Sequence, residues 1–164
     1  MGSLGLKRFH LRRARPADTQ ELARLEASCF PHSDQFPLAT WVRLLQSPSV
    51  FTLIAETDPG SPRAAITWLL RRGSQVARMY SLAVHPGDRG QGLAKRLIAD
   101  SLRQLPRRIQ TCSLEVRAAN ASAIGLYGSL GFIRHAHLPA YYPAGRAGLR
   151  MRASRRTVAN ALAD

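Results

Sequence analysis

Ser81-Leu82-Ala83-Val84-His85-Pro86-Gly87-Asp88-Arg89-Gly90-Gln91-Gly92-Leu93-Ala94 carries the chain from an apolar segment through closely spaced glycines into a new periodicity. Upstream, Gln75 to Val84 reads as a strand. Downstream, Leu93, Leu97, Ile98, Leu102 and Leu105 recur at helical spacing until Pro106 stops the run. A helix start exposes unpaired N–H groups and the positive end of the helix dipole, which together suit an anion such as phosphate. Gly90 and Gly92 would let that backbone approach a phosphate with no Cβ in the way. The segment is not a Walker loop, because no Gly-Lys-Ser/Thr follows. It also fails GxGxxG, because Lys95 stands in the last position. Taken alone, it is either an anion cradle or a glycine-rich helix entry.

Working outward, Phe9 to Arg13 reads as a first strand and Pro16-Ala17-Asp18 as a helix start, with Leu22, Leu25 and Cys29 at helical spacing. A second helix is expected over Leu38 to Gln46, before Pro48. Val50 to Glu56 and Arg63 to Arg71 are strand-like runs joined by Thr57-Asp58-Pro59-Gly60-Ser61-Pro62, a turn-forming linker, so they read as a hairpin. On the C-terminal side, Ile109 to Val116 is a strand with Cys112, Leu114 and Val116 on one face and Thr111, Ser113 and Glu115 on the other. Asn120 to Leu130 reads as a helix capped by Gly131. Phe132 to Leu138 and Ala147 to Ala153 read as the last two strands, with a loop between them. Residues 154–164 read as a loose basic tail behind a single domain spanning 1–153. An antiparallel meander followed by β-α-β units is an α+β, or mixed α/β, layout.

The chain has 164 residues, one domain's length, enough to bury a full core. No apolar run is long enough to span a membrane, and the N-terminus lacks the order of a signal peptide. Cys29 and Cys112 have no metal or redox spacing, which fits a reduced, cytoplasmic protein. Charge is the abnormal property: 24 Lys and Arg against 10 acids give +14, and only Lys7 and Lys95 are lysines. Such an excess fits nucleic-acid or ribosome contact, or a compositional bias toward arginine. In either case the field favours anionic ligands and repels cationic acceptors such as polyamines. His135 and His137 share a strand face, but no third ligand accompanies them, so no metal is expected.

Arg89-x-x-Gly92-x-Ala94 after a strand resembles the acetyl-coenzyme A pyrophosphate loop of the GNAT acetyltransferase superfamily, with Ala94 at a position that is Gly or Ala in that pattern. Leu114-Glu115-Val116-Arg117-Ala118-Ala119-Asn120 through Tyr127 to Gly131-Phe132 resembles the superfamily's second signature. In this form the chain is most similar to bacterial ribosomal-protein alanine N-acetyltransferases, and Tyr141-Tyr142-Pro143 with Leu149-Arg150-Met151 resembles that group's ending. The element order matches from Leu6 to Met151.

The resemblance implies a mostly antiparallel twisted sheet of about seven strands, splayed between the fourth and fifth and flanked by four helices. It implies that acetyl-coenzyme A is the co-substrate. Backbone groups of Leu82, Ala83 and Val84 would bond its pantetheine arm, and an N–H of that strand would stabilise the oxyanion. Gly90, Gln91, Gly92, Leu93, Ala94 and Lys95 would form the pyrophosphate loop, with Arg89 fixing that loop or adding positive potential. Glu115 matches the general base; an α-amine, with a pKa near ~7.7–8.0, asks less of a base than a lysine does. The opposing reading is that Glu115 merely pairs with an arginine. Tyr127 matches the proton donor to the departing thiolate, or is plain core. Asn120 matches a residue that touches the cofactor and also suits a helix N-cap. Tyr80 would position substrate or water, or is a buried strand tyrosine. Tyr141 and Tyr142, placed on a loop, would flank the acceptor.

The expected reaction is direct acetyl transfer to a primary amine, foremost a protein N-terminal α-amine. A small-molecule amine is the alternative, and a non-catalytic nucleic-acid or ribosome-binding module is the alternative outside enzymology. The sequence leaves monomer and homodimer equally open.

Overall fold

The computed structural model describes residues 7–164, so Leu6 and the first residues of the expected domain lie outside the described residues. Seven strands form one sheet in the order β1-β2-β3-β4-β5-β7-β6. They are β1 (His10–Arg13), β2 (Val50–Glu56), β3 (Pro62–Leu70), β4 (Val76–Val84), β5 (Thr111–Arg117), β6 (Ile133–Tyr142) and β7 (Arg146–Ser154). Every neighbouring pair is antiparallel except β4 and β5, which are parallel. That junction is where the meander gives way to β-α-β connections.

Alternation along the central strands sends side chains into two cores. On one face, Leu22 and Leu25 of α1 (Thr19–Cys29) and Trp41 and Leu44 of α2 (Leu38–Gln46) pack against Ile54, Ala65 and Ala83. On the other, Leu93, Leu97, Ile98 and Leu102 of α3 (Leu93–Gln104) pack against Leu53, Ile66, Trp68, Met79 and Leu114. The Trp68 indole N–H donates to Ser101 Oγ at 2.9 Å, so the buried ring leaves no polar atom unpaired. Helix α4 (Ala121–Ser129) covers the C-terminal end of this second face through Ala123, Ile124, Leu126 and Tyr127.

The structure differs from the sequence expectation at the C-terminus. The described residues form five α-helices rather than four, because the supposed loose tail folds as α5 (Arg155–Ala163). Ser154 caps it, accepting the Thr157 N–H at 3.0 Å, and Val158 is completely buried in the second core. The Arg155 guanidinium donates to the carbonyls of Pro106 (2.7 Å), Leu105 (3.1 Å), Ile109 (3.3 Å) and Leu102. Leu102 and Leu105 belong to the end of α3, where carbonyls run out of helical partners, and Pro106 and Ile109 to the turn that follows it. Arg155→Ala is expected to cost about 1.5–3 kcal/mol, the value of a hydrogen bond to a charged group, read by urea denaturation. A loss under ~0.5 kcal/mol, typical of a plain surface site, would leave the apolar packing of Val158, Ala161 and Leu162 as the anchor of α5.

Two irregularities shape the site. Between Thr67↔Ser81 and Trp68↔Met79 the β3–β4 register shifts, leaving Tyr80 as the extra residue of a bulge. The β4–β5 pairing runs from Val76↔Thr111 to Met79↔Leu114 and no further, so the strands part directly beside that bulge. The expected splay between the fourth and fifth strands is therefore present.

Candidate active site

Parting the two strands opens a cleft of about 1410 Å³ that runs from the glycine loop to the β6–β7 turn. Its floor holds Tyr80, Leu82, Ala83 and Val84 of β4 and Leu114, Glu115 and Val116 of β5, and Tyr127 of α4 lines it as well. Beyond Met79, the β5-facing edge of β4 has no strand partner. The peptide groups between Leu82 and Val84 that point to this edge are thus available to an extended ligand arm, apart from the Val84 carbonyl, which accepts from Cys29 and Arg89.

At one end, Gly90 and Gly92 both lie in the left-handed region at φ +77, and a Cβ on either would meet nothing within 4 Å. Gly92 is the N-cap of α3, so the amides of Leu93, Ala94 and Lys95 begin the helix without helical acceptors. Leu93 itself is a core side chain, and only its backbone faces the loop. Arg89 Nε donates to the Val84 carbonyl at 3.1 Å, tying the loop back to β4. Fully buried Asp88 accepts from Lys7 (2.9 Å) and Arg63 (2.6 Å), and both cations hold its carboxyl below the usual range against the opposing effect of burial. Open space, unpaired amides and an anchored loop suit a diphosphate. Gln91 is exposed on the same turn and does not line the cleft.

In the middle, Glu115 and Tyr127 line the same cleft. The Glu115 side chain is 7% exposed; its Oε2 accepts from Arg78 Nε at 2.7 Å and its Oε1 from Arg150 Nε at 3.1 Å. The expectation of a pairing arginine is thus met twice over. A carboxylate offers about four lone-pair positions, so two remain for water or an amine. Tyr127 is half-buried, edge-on to Phe132 at 5.8 Å, and burial pushes its phenol up to about 12. It therefore stays a protonated donor throughout the neutral range. Asn120 Oδ1 accepts the Ala123 N–H at 3.1 Å, an N-cap whose side chain also lines the cleft.

At the far end, Tyr141 and Tyr142 sit on the last two residues of β6 rather than on a free loop. Ala140 at φ +51 interrupts the β6–β7 register between Leu138 and Tyr142, turning both rings toward the cleft. They meet edge to face at 5.0 Å. A Cβ on Gly148 would stand 2.9 Å from the Tyr142 ring, so this glycine is needed for the rings to lie against β7. Arg117 pairs with Asp34 and lies 5.2 Å from the centre of the Tyr142 ring, joining the segment after α1 to this wall. Tyr80 stacks on Phe36 at 4.8 Å.

Sequence reading did not single out Arg78, Arg150, Asp34, Phe36, Glu26, Cys29 or Gly148 as parts of the site. Buried Glu26 accepts from Trp41 Nε1 (2.6 Å) and the Phe36 amide (2.9 Å), which fixes the segment bearing Phe36; desolvation raises its carboxyl pKa. The half-buried Cys29 thiol donates to the Val84 carbonyl at 3.3 Å. Only the cross-strand partnership Glu115↔Arg150 could have flagged an arginine, and that needs the β5–β7 register. Among the described residues no three His, Cys, Asp or Glu side chains converge as a metal site, and no helix is long and apolar enough to cross a membrane.

Residues 18–132 match the acetyltransferase (GNAT) family. The chain is 33% identical over 127 residues to the N-alpha-acetyltransferase RimI of Mycobacterium tuberculosis, covering 77% of this chain and 79% of that one. Over 68 residues it is 43% identical to the ribosomal protein bS18-alanine N-acetyltransferase of Escherichia coli, covering 41% of this chain and 46% of that protein. A Mycobacterium leprae protein is 34% identical over 133 residues, 80% of this chain but 36% of its own length. The matches to the last two therefore span less than half of those proteins. In fold, the E. coli ribosomal-protein-S18-alanine N-acetyltransferase superposes with a TM-score of 0.79 at 24% identity, over 90% of this chain and 94% of that one. Ard1 from Thermoplasma volcanium superposes with a TM-score of 0.77 at 23% identity, over 89% and 97%.

Proposed function

The chain belongs to the GNAT family of acetyltransferases, and on that premise we propose that it moves acetyl from acetyl-coenzyme A directly to a protein N-terminal α-amine. The observation that carries this reading is the parting of β4 from β5 after Met79↔Leu114, which brings the glycine loop, Glu115 and Tyr127 onto one cleft. Gly90, Gly92 and the first amides of α3 would hold the cofactor's diphosphate, and the β4 edge its pantetheine arm. Bound there, acetyl-coenzyme A supplies an acyl group activated as a thioester.

Glu115 takes the ammonium proton through a water on its remaining lone pairs, freeing the amine to attack. As the N–C bond forms and the C–S bond breaks, a β4 amide steadies the charge on the carbonyl oxygen. Tyr127, a neutral phenol across the neutral range, gives its proton to the departing thiolate. The nitrogen, positively charged once the N–C bond forms, releases its second proton through the water network to reprotonate Tyr127, and the proton first taken by Glu115 returns to solvent. We infer likewise that the described chain is one catalytic domain that includes α5, since Val158 shares its core.

The N-terminal acceptor is favoured over a small amine by the walls of the far end. An extended peptide needs side walls to place its amine, whereas a small amine does not. The two named N-terminal acetyltransferases among the relatives point the same way. Mass spectrometry of a peptide panel incubated with the purified chain and acetyl-coenzyme A tests the reading, with acetylation expected at N-termini and not at lysines. Replacing Tyr141 and Tyr142 together with Ala is expected to raise KM for peptides strongly and to leave slow hydrolysis of acetyl-coenzyme A nearly intact. If the double variant acetylates peptides as well as the parent does, the small-amine alternative takes the lead.

A further inference from the structure

Arg78 has more than one task. Its Nε holds Glu115 (2.7 Å) and one Nη2 proton goes to the Tyr141 hydroxyl (3.0 Å), while its guanidinium carbon stands 5.3 Å from the centre of the Tyr80 ring. A guanidinium has five N–H donors in a rigid plane. Three of those on Arg78 have no protein acceptor among the described residues, and its side chain is 38% exposed in the cleft. Arg150 shares Glu115, so two guanidiniums answer one carboxylate and a full positive charge remains. Nearby, Asp34 is taken by Arg117, and Arg146 lines the same end with no acidic partner among the described residues. The acceptor end thus carries a net positive charge with a fork of free donors at its centre.

Resting on the N-terminal reading above, we propose that Arg78 is a specificity-determining residue that receives a carboxylate of the acceptor, so that the enzyme selects N-termini with Asp or Glu as the second residue. The second position follows from reach. Arg78 and the attacking amine share Glu115 as neighbour, and one residue of extended peptide advances about 3.3–3.6 Å. A carboxylate takes two parallel N–H bonds from such a fork, whereas an amide or an ammonium cannot. Tyr80 and Tyr141 hold the fork from two sides, so little ordering is left for the moment of binding. Like charge at this end repels a lysine in the same place.

The full chain is assayed with acetyl-coenzyme A and three peptides that differ only in the second residue: Glu, Gln or Lys. The expected order of kcat/KM is Glu above Gln above Lys, with roughly a 10–100-fold gap between Glu and Gln, as for a charged hydrogen bond. That gap shrinks as salt rises. In Arg78→Gln all rates can fall, because Glu115 loses a partner, but the Glu-to-Gln ratio drops to about one; Arg78→Lys restores part of it. A merely structural role would lower all three peptides together and leave the ratio standing. Equal rates for Glu and Gln peptides in the parent, or a ratio that survives Arg78→Gln, overturns the proposal and leaves N-terminal acetylation intact. Failure to acetylate any peptide overturns both.

Discussion

Glu115→Gln is expected to lower kcat by about 10²–10⁴-fold, the usual cost of removing a general base, with little change in affinity for acetyl-coenzyme A. Cofactor affinity is spared because the diphosphate is proposed to lie on Gly90, Gly92 and the start of α3, none of which pairs with Glu115. The substitution keeps the side chain's shape and also replaces one acceptor oxygen with an NH2 group, which must then face an arginine donor. Either Arg78 or Arg150 therefore loses its partner, and a modest drop in melting temperature accompanies the variant. The catalytic and structural effects separate by pH. An α-amine with a pKa near ~7.7–8.0 deprotonates by itself as pH rises, so the deficit narrows above that range if Glu115 serves as the base. A purely structural Glu115 gives a deficit that does not depend on pH. A fully active variant transfers the role to Tyr80 or to a chain of waters.

Gly92→Glu is expected to abolish cofactor binding while the protein still folds. Two properties of the position combine. At φ +77 any side chain is strained, at a cost of roughly 1–2 kcal/mol, and this alone weakens the helix entry without breaking it. No atom lies within 4 Å of the added Cβ, so beyond that backbone strain the Cβ clashes with nothing in the free protein. It occupies instead the space before the first amides of α3, where its carboxylate competes with the diphosphate for the positive end of the helix. Thermal shift reads the result. Ligand at about 100 times Kd stabilises the parent by about 2.7 kcal/mol through linkage, and the variant gains nothing. Gly92→Ala has the same strain without the charge or bulk and should keep part of the shift. Normal binding by Gly92→Glu would move the diphosphate site elsewhere in the cleft.

Much of this protein is written in short stretches of chain. The bounds of α2 (Leu38–Gln46) and β2 (Val50–Glu56) follow from periodicity and from Pro48, because such signals act within a few residues. The glycine-rich entry to α3, the proposed anion site, is equally local: a strand, two glycines and a helix start are adjacent in sequence, and their conformations depend on one another more than on the rest of the fold. The resemblance to the family's second signature put Glu115, Asn120 and Tyr127 forward, and because β5 and α4 are consecutive in the chain the fold sets all three on one cleft.

Tertiary structure alone decided the remainder. Arg78, Glu115 and Arg150 come from three strands, and their meeting depends on a β5–β7 register and a β4–β5 junction that no local pattern encodes. The bulge at Tyr80 is a mismatch between partner strands, invisible in either one. Tyr141 and Tyr142 were visible as residues, but their direction depends on Ala140 and on the missing side chain of Gly148 across the hairpin. Helix α5 reads as a basic tail because Val158 is its one fully buried residue, and Arg155 finds its acceptors only at the end of α3 and the turn after it, some fifty residues away in sequence. Periodicity and turn chemistry act between neighbours along the chain. The charges and rings that would choose an acceptor are joined by contacts whose partners lie dozens of residues apart, and only the folded sheet brings them together.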